Sequence, residues 1–250
     1  MRVAILSSGG KDSAYASWWA MMQGWEIVSL VTVGIDNDDS MMFQIQGTYI
    51  SAFQSISMGI PWLPVESLGK EELEVSDLED ALQGNRDNFA AYENIWPENI
   101  PKHDEIEISS GKIKIDALVT GALRSDYQKT RIEMMCERLG IISFCPLWHK
   151  NPKEHMEALI KHGFEIKFVS VSSDGLDETW LGKTLTGTNL IQLHNLSKKY
   201  RFNLDGEGGE FETIALDGPH MKKRIKCQGQ SNFKSGRGIW TIQTVDIEEG

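Results

Sequence analysis

Short runs of β-branched and aliphatic residues take turns with helical stripes along most of this chain. That alternation restricts the fold more than any other feature. RVAILSS (2–8) is a short apolar run that reads as a buried strand. Tyr15, Trp18, Trp19 and Met22 then fall at i, i+3, i+4 and i+7, which predicts an amphipathic helix over 14–22 stopped at Gly24. EIVSLVTV (26–33) is the next strand, IDNDD (35–39) a polar turn, and Ile45, Tyr49, Ile50, Phe53 and Ile56 predict a helix ended by Gly59. PWLPVES (61–67) reads as a third strand, EELEVSDLEDAL (71–82) as a helix and IKIDALVTG (113–121) as a strand. Residues 85–112, dominated by Asn, Pro, His and charges, give no regular pattern and read as a surface excursion or a lid. Ile132, Met135, Cys136 and Leu139 mark another helix, and IISFCPLW (141–148) another strand. Met156, Leu159 and Ile160 predict a helix, FEIKFVSVS (164–172) a strand, Leu190, Leu193 and Leu196 a helix, and TIQTVDIEE (241–249) an edge strand. Strand and helix in turn imply an α/β fold, a parallel sheet with helices on both faces. A boundary near Pro146–Pro152 divides the chain into 1–148 and a smaller 149–250 unit.

Composition excludes several functions. The 250 residues carry a net charge of −11, which argues against nucleic-acid binding, since that needs a basic face. The three cysteines, Cys136, Cys145 and Cys227, form no CxxC pair, so neither a zinc ribbon nor a disulfide framework is expected. No histidine pair has HExxH spacing. No charged-then-apolar leader and no apolar run of membrane length occur, which reads as a cytoplasmic chain without membrane contact.

SSGGKDS (7–13) lies between the first strand and the first helix. Ligands of a parallel sheet sit at the C-terminal strand ends. Glycines there let backbone N–H groups turn inward, and the next helix points its positive end at the same spot. With Lys11 and the hydroxyls of Ser8 and Ser13, this is a nest for phosphate oxygens. Neither GxxxxGK[ST] nor GxGxxG spacing is present.

Three further stretches are unusually polar. GALRSDYQKTRIE (121–133) begins at a strand end, where Arg124, Lys129 and Arg131 could meet phosphates or a carboxylate and Asp126 and Glu133 a cation. LDETWLGKTL (176–185) joins carboxylates to Trp180 and Lys183. GEGGEFET (206–213) places Glu207, Glu210 and Glu212 so close that a positive partner is expected, with magnesium, ammonium and a cationic substrate all open.

SGGKDS (8–13) resembles the pyrophosphate loop of the N-type ATP pyrophosphatases, a group that includes GMP synthetase and argininosuccinate synthetase. Together with EVSDL (74–78), GALRSDYQKTRIE, LDETWLGKTL, GEGGEFET and LDGP (216–219), it resembles the diphthine–ammonia ligase family in its archaeal, single-enzyme form. These motifs span most of the chain, and segment 85–112 is longer than the family pattern. The resemblance implies a Rossmann-like sheet of the adenine-nucleotide alpha-hydrolase (HUP) type with a smaller C-terminal α/β substrate domain. It implies ATP and Mg2+ as cofactors, ammonia as co-substrate and elongation factor 2 bearing diphthine as protein partner. A homo-oligomer is compatible with it. Ser8, Gly9, Gly10, Lys11, Asp12 and Ser13 are expected at the pyrophosphate, Asp12 near the metal and Val33 at the adenine. Lys11, Asp12, Glu207, Glu210 and Glu212 are the expected catalytic residues, one glutamate acting as base. Ser125, Asp126, Tyr127, Arg131, Glu133, Trp180, Lys183, Gly208, Gly209 and Thr213 are expected at the substrate, with Trp180 or Trp148 facing its trimethylammonium. A ligase for another carboxylate, a tRNA-modifying enzyme and a non-catalytic ATP sensor remain the alternatives.

Overall fold

The computed structural model describes residues 1–35, 47–68 and 73–249. Five strands, β1 (Arg2–Leu6), β2 (Glu26–Ile35), β3 (Trp62–Ser67), β4 (Ala117–Thr120) and β5 (Ile142–Phe144), form a parallel sheet in the order β3-β2-β1-β4-β5. The chain thus moves outward from β1, then returns to its other side. The switch point falls between the C-terminal ends of β1 and β4, where a doubly wound sheet opens a crevice. The sequence-predicted turn at 36–39 and Ile45 lie outside the described residues.

One face of this sheet packs on α3 (Leu73–Gln83) and α5 (Asp126–Leu139), through Val75, Leu78, Ile132 and Met135. The other face packs on α1 (Lys11–Met22) and α2 (Ile50–Met58). A second sheet covers those two helices from outside. Its strands β6 (Glu165–Val171), β7 (Phe211–Asp217), β8 (Lys223–Lys234) and β9 (Arg237–Glu249) are antiparallel in the order β7-β6-β9-β8, flanked by α6 (Pro152–Lys161) and α7 (Gly187–Tyr200). The C-terminal part is therefore α/β, but its sheet does not continue the parallel pattern. Among the described residues no helix is long and apolar enough to cross a membrane.

This layering corrects the helix stripe expected over 14–22. α1 meets β2 and β4 on one side and β7 on the other, so Ala14, Ala16, Ser17 and Ala20 are buried with Tyr15. Trp18 and Trp19 are only half-buried and Met22 is 66% exposed. A helix between two layers needs small side chains on both sides and loses its one-sided pattern. Every residue of α2 is buried for the same reason.

Segment 85–112, read without a regular pattern, carries structure of its own, and its 101–112 part lies on the surface. It holds α4 (Asn88–Ile95), capped by the Asp87 carboxylate on the Phe89 and Ala90 N–H groups. Tyr92, Trp96 and Ile100 are buried, and Trp62 meets both Tyr92 and Trp96 edge-on at 6.0 and 6.3 Å. The chain then runs back beside β3, with the Trp62 N–H on Glu107 O and the Ser109 N–H on Trp62 O, both 2.8 Å. Strand 241–249 pairs on one side with β8, a strand unread in the sequence, while β9 meets β6 only at Gly238 and Ile239.

His220 is 4% exposed, lies against Phe164 at 5.7 Å, and its Nδ1 has no partner among the described residues. Burial lowers its pKa to about 4. The native ring is neutral while the unfolded chain takes up a proton near pH 6.5, so stability is complete above that pH and falls as pH drops toward 4. Urea unfolding should show a loss of about 2 kcal/mol between pH 7 and pH 5 from this group. His220→Leu should flatten that interval, and an unchanged slope would discard the assignment.

Candidate active site

The loop after β1 is shaped by its own side chains. The Gly9 N–H donates to Ser7 Oγ (3.2 Å), the Gly10 N–H to Ser8 Oγ (3.4 Å), and Ser13 Oγ–H to Gly10 O (3.1 Å). Gly9 has φ +77°, a conformation that costs an L side chain energy and glycine almost none. Gly10 stands at the N-cap of α1 and offers no capping side chain, so the helix start faces the crevice with its positive dipole end. Gly121, after β4, closes the opposite wall. A Cβ there would come within 2.7 Å of Asp12 C and Ser13 N, so only glycine lets the wall approach the helix so closely.

The second sheet is bonded directly to this loop. Gly9 O accepts from the Ala215 N–H of β7 (2.9 Å) and from Gln54 Nε2 of α2 (2.9 Å), which also donates to Ala215 O (2.8 Å). The Lys11 N–H donates to Thr213 Oγ1 at 3.3 Å. Thr213, expected at the substrate, is buried with its Oγ1 on the Lys11 N–H.

Asp12 is held from both sides. Lys11 Nζ lies 2.8 Å from Oδ2, and Nε2 of the fully buried His155 in α6 lies 2.7 Å from Oδ1. Burial alone would raise the Asp12 pKa, but Lys11 and then His155 outweigh it and the carboxyl sits below its usual range. Lys11 itself is 5% exposed, with Nζ 5.7 Å from the Phe211 ring centroid.

A cleft runs along the switch point, lined among others by Ser8, Asp12, Ser13, Val33, Lys129 and Glu207. Glu207 reaches it from the glycine-rich turn before β7. Its Oε1 accepts the Arg124 N–H at 2.9 Å. Burial raises the Glu207 pKa, the Arg124 N–H lowers it, Asp12 raises it again, and the net shift is upward. The Arg124 guanidinium turns away from the cleft to the fully buried Asp205, with Nη2 at 2.6 and 2.7 Å from the two carboxylate oxygens. The Arg124 guanidinium is thus committed to Asp205.

The three glutamates of 206–213 do not converge. Glu210 accepts from the Asn203 N–H (2.7 Å), Asn203 Nδ2 (2.8 Å) and the Gly208 N–H (2.7 Å), which makes it the brace of its own turn. Gly208 and Gly209 are exposed within that turn, and Gly209 O accepts from Ser172 Oγ at 2.5 Å. Glu212 lies on β7 opposite Ser170. N–H donors relieve the crowding of Glu207 and Glu210 that the sequence had suggested a cation would relieve.

On α5, Ser125 is the N-cap and accepts the Gln128 N–H at 3.3 Å, while Asp126 is exposed. The Arg131 guanidinium stacks 3.7 Å above Tyr127. Lys129 Nζ pairs with Glu133, whose hydrogen bond raises the lysine's pKa, and lies 5.3 Å over the half-buried Trp148 ring. Trp180 is not an open aromatic wall. It is 4% exposed, edge-on to Phe168 at 5.3 Å, with Lys183 Nζ 4.6 Å over its ring. Among the described residues no three His, Cys, Asp or Glu side chains converge as metal ligands. Magnesium arriving with a nucleotide keeps mainly phosphate and water ligands. Asp12 and Glu207 are the two carboxylates among the described residues that line the cleft.

His155, Gln54 and Asp205 escape a reading of the sequence. A lone histidine in an apolar stripe looks like core, and His155 is core as well as the partner of Asp12. The one sequence signal for Gln54 is a helix carrying Ser51, Gln54, Ser55 and Ser57 among apolar residues.

Residues 1–92 and 98–143 match the family model for the diphthamide synthase N-terminal domain, and residues 151–247 that for the diphthamide synthase C-terminal domain. The chain is 33% identical over 233 residues to the diphthine–ammonia ligase of Rattus norvegicus, covering 90% of this chain and 82% of that protein. It is 32% identical over 233 residues to the diphthine–ammonia ligase of Homo sapiens, with the same 90% and 82% coverage. A crystal structure titled as a predicted subunit of tRNA methyltransferase from Methanocaldococcus jannaschii aligns with 88% of this chain and 98% of its own, at 16% identity and a TM-score of 0.39.

Proposed function

Since this chain belongs to the diphthine–ammonia ligase family, we propose that the cleft between β1 and β4 carries out the ATP-dependent amidation of diphthine to diphthamide. The protein substrate in this reading is elongation factor 2 bearing diphthine, and the reaction takes place in the cytoplasm. ATP transfers its adenylyl group to the substrate carboxylate and pyrophosphate leaves. Ammonia then displaces AMP and leaves the amide. The logic is that of the leaving group. A carboxylate would have to expel oxide, whereas an acyl-adenylate expels AMP. The protein's share is positioning and charge stabilisation.

Ser8 to Ser13 hold the β,γ-phosphates, with the α1 N-terminus and Lys11 facing their charge. The end of β2 at Val33 takes the adenine. Magnesium, when bound, neutralises phosphate charge, and Asp12, kept ionised by Lys11 and His155, is its protein contact. Residues 149–250 form the substrate unit. Its strand β7 is tied to Gly9 O and the Lys11 N–H, so the placing of the acyl group and the phosphate grip share one rigid frame. The supporting observation is this juxtaposition. The phosphate loop and Glu207 of GEGGEFET, 194 positions after Ser13, line one cleft at the switch point.

The test is release of AMP and pyrophosphate from ATP, with magnesium, ammonium and diphthine-bearing elongation factor 2 each omitted in turn. AMP formed only in the complete mixture, with amide on the protein, is the expected result. Cleavage to ADP, or ATP binding without turnover, would sink the adenylation mechanism.

A further inference from the structure

We infer that Glu207 is the catalytic residue that receives a proton from ammonium and so releases the ammonia that attacks the acyl-adenylate. The inference rests on the ligase reading and assigns one step of it.

Ammonia at neutral pH is almost wholly ammonium, which has no lone pair to attack with. A base must therefore face the acyl carbon, beside the phosphate loop. Among the described residues three ionisable side chains line the cleft, Asp12, Lys129 and Glu207. Asp12 has both oxygens engaged, one by Lys11 and one by His155, and its proton affinity is lowered. Lys129 pairs with Glu133, which holds it as a cation, so it repels ammonium and offers no lone pair. Glu207 differs on each count. The one hydrogen bond to its carboxylate among those described comes from a neutral backbone N–H. The nearest guanidinium, that of Arg124, is committed to Asp205. Burial favours its protonated form. The other carboxylates of the turn are absorbed, Glu210 by three N–H donors and Asp205 by Arg124.

The step balances. Ammonium passes one proton to the Glu207 carboxylate and becomes ammonia. The nitrogen lone pair forms the C–N bond, and the C–O bond to AMP breaks with its electron pair leaving on AMP. The nitrogen of the adduct loses its second proton to water, and Glu207, half-buried at the cleft wall, returns the first to solvent.

The experiment compares ammonium with hydroxylamine as the nitrogen donor, in the whole protein with diphthine-bearing elongation factor 2. Hydroxylamine is largely unprotonated at neutral pH and needs no base before attack. Glu207→Gln keeps the side-chain shape and an oxygen for the Arg124 N–H. It should cut amide formation by about 100-fold or more, the usual contribution of a general base. Hydroxamate formation should fall less than about tenfold. Equal losses with both donors would overturn the inference, because the residue would then act on the acyl-adenylate or on folding. Loss of diphthine-dependent ATP–pyrophosphate exchange in Glu207→Gln would also overturn it, by moving the residue to the adenylation step. Absence of that exchange in the unaltered protein would instead refute the ligase reading itself.

Discussion

Replacing Lys11 with methionine is expected to lower kcat/KM for AMP formation by about 10²–10³-fold, the cost of losing one preorganised charge at a developing anion. The side chain is 5% exposed, so its charge acts where water screens little. Its Nζ lies 2.8 Å from Asp12 Oδ2, which keeps the ammonium in place at the loop. The substitution therefore acts twice. It removes the cation that faces the pyrophosphate, and it withdraws the largest single influence that keeps Asp12 ionised against its burial. Methionine fills a similar volume, and circular dichroism should show an intact fold. Lys11→Arg should not rescue, since a planar guanidinium does not replace a compact ammonium in a closed space. AMP formation within threefold of the unaltered rate would remove Lys11 from the site.

Arg124→Leu is expected to destabilise the fold by about 3 kcal/mol, read from urea unfolding. Asp205 is 0% exposed, and both its oxygens lie on Arg124 Nη2, so the substitution strands a buried carboxylate. The Arg124 side chain is 27% exposed, which places the effect at the low end for broken buried pairs. The double variant Arg124→Leu, Asp205→Ala should recover most of the loss, because an ion pair removed whole leaves no unpaired charge. A single variant within 1 kcal/mol of the parent, or a double variant no better than the single, would show that the pair is not the latch it looks like. The same cycle bears on the cleft. The Arg124 N–H fixes Glu207 (2.9 Å), so a loosened 121–125 turn should also raise the KM for ammonium.

The elements legible in the sequence share a physical basis. β1, β2 and β3 are runs of β-branched and aliphatic residues bounded by glycine, proline or polar turns, and such runs carry their own strand signal. The α5 stripe of Ile132, Met135 and Cys136 works because that helix buries only one side. The α1 stripe misleads because that helix buries two. Segment 85–112 shows no pattern because α4 is only eight residues long, and the chain beyond it docks through Trp96 and Ile100, single anchors without period.

The site divides in the same way. Local residues lay out the phosphate loop: a strand, Gly9 in a left-handed turn, a capless Gly10 and a helix start are consecutive in the chain, although Gln54, Thr213 and Ala215 fasten them from elsewhere. The sequence by itself thus determined the parallel α/β half, the phosphate loop at its first strand end and the family motifs. Which charged groups serve that loop was left to the tertiary structure. Asp12 finds His155 143 positions away, Gly9 O finds Ala215, and Arg124 finds Asp205. Three glutamates within six residues look equivalent in the sequence. Backbone direction separates them, sending Glu207 to the cleft, Glu210 into its own turn and Glu212 along β7. A charge's role is set by what it faces after folding, and neighbours in the chain do not encode that.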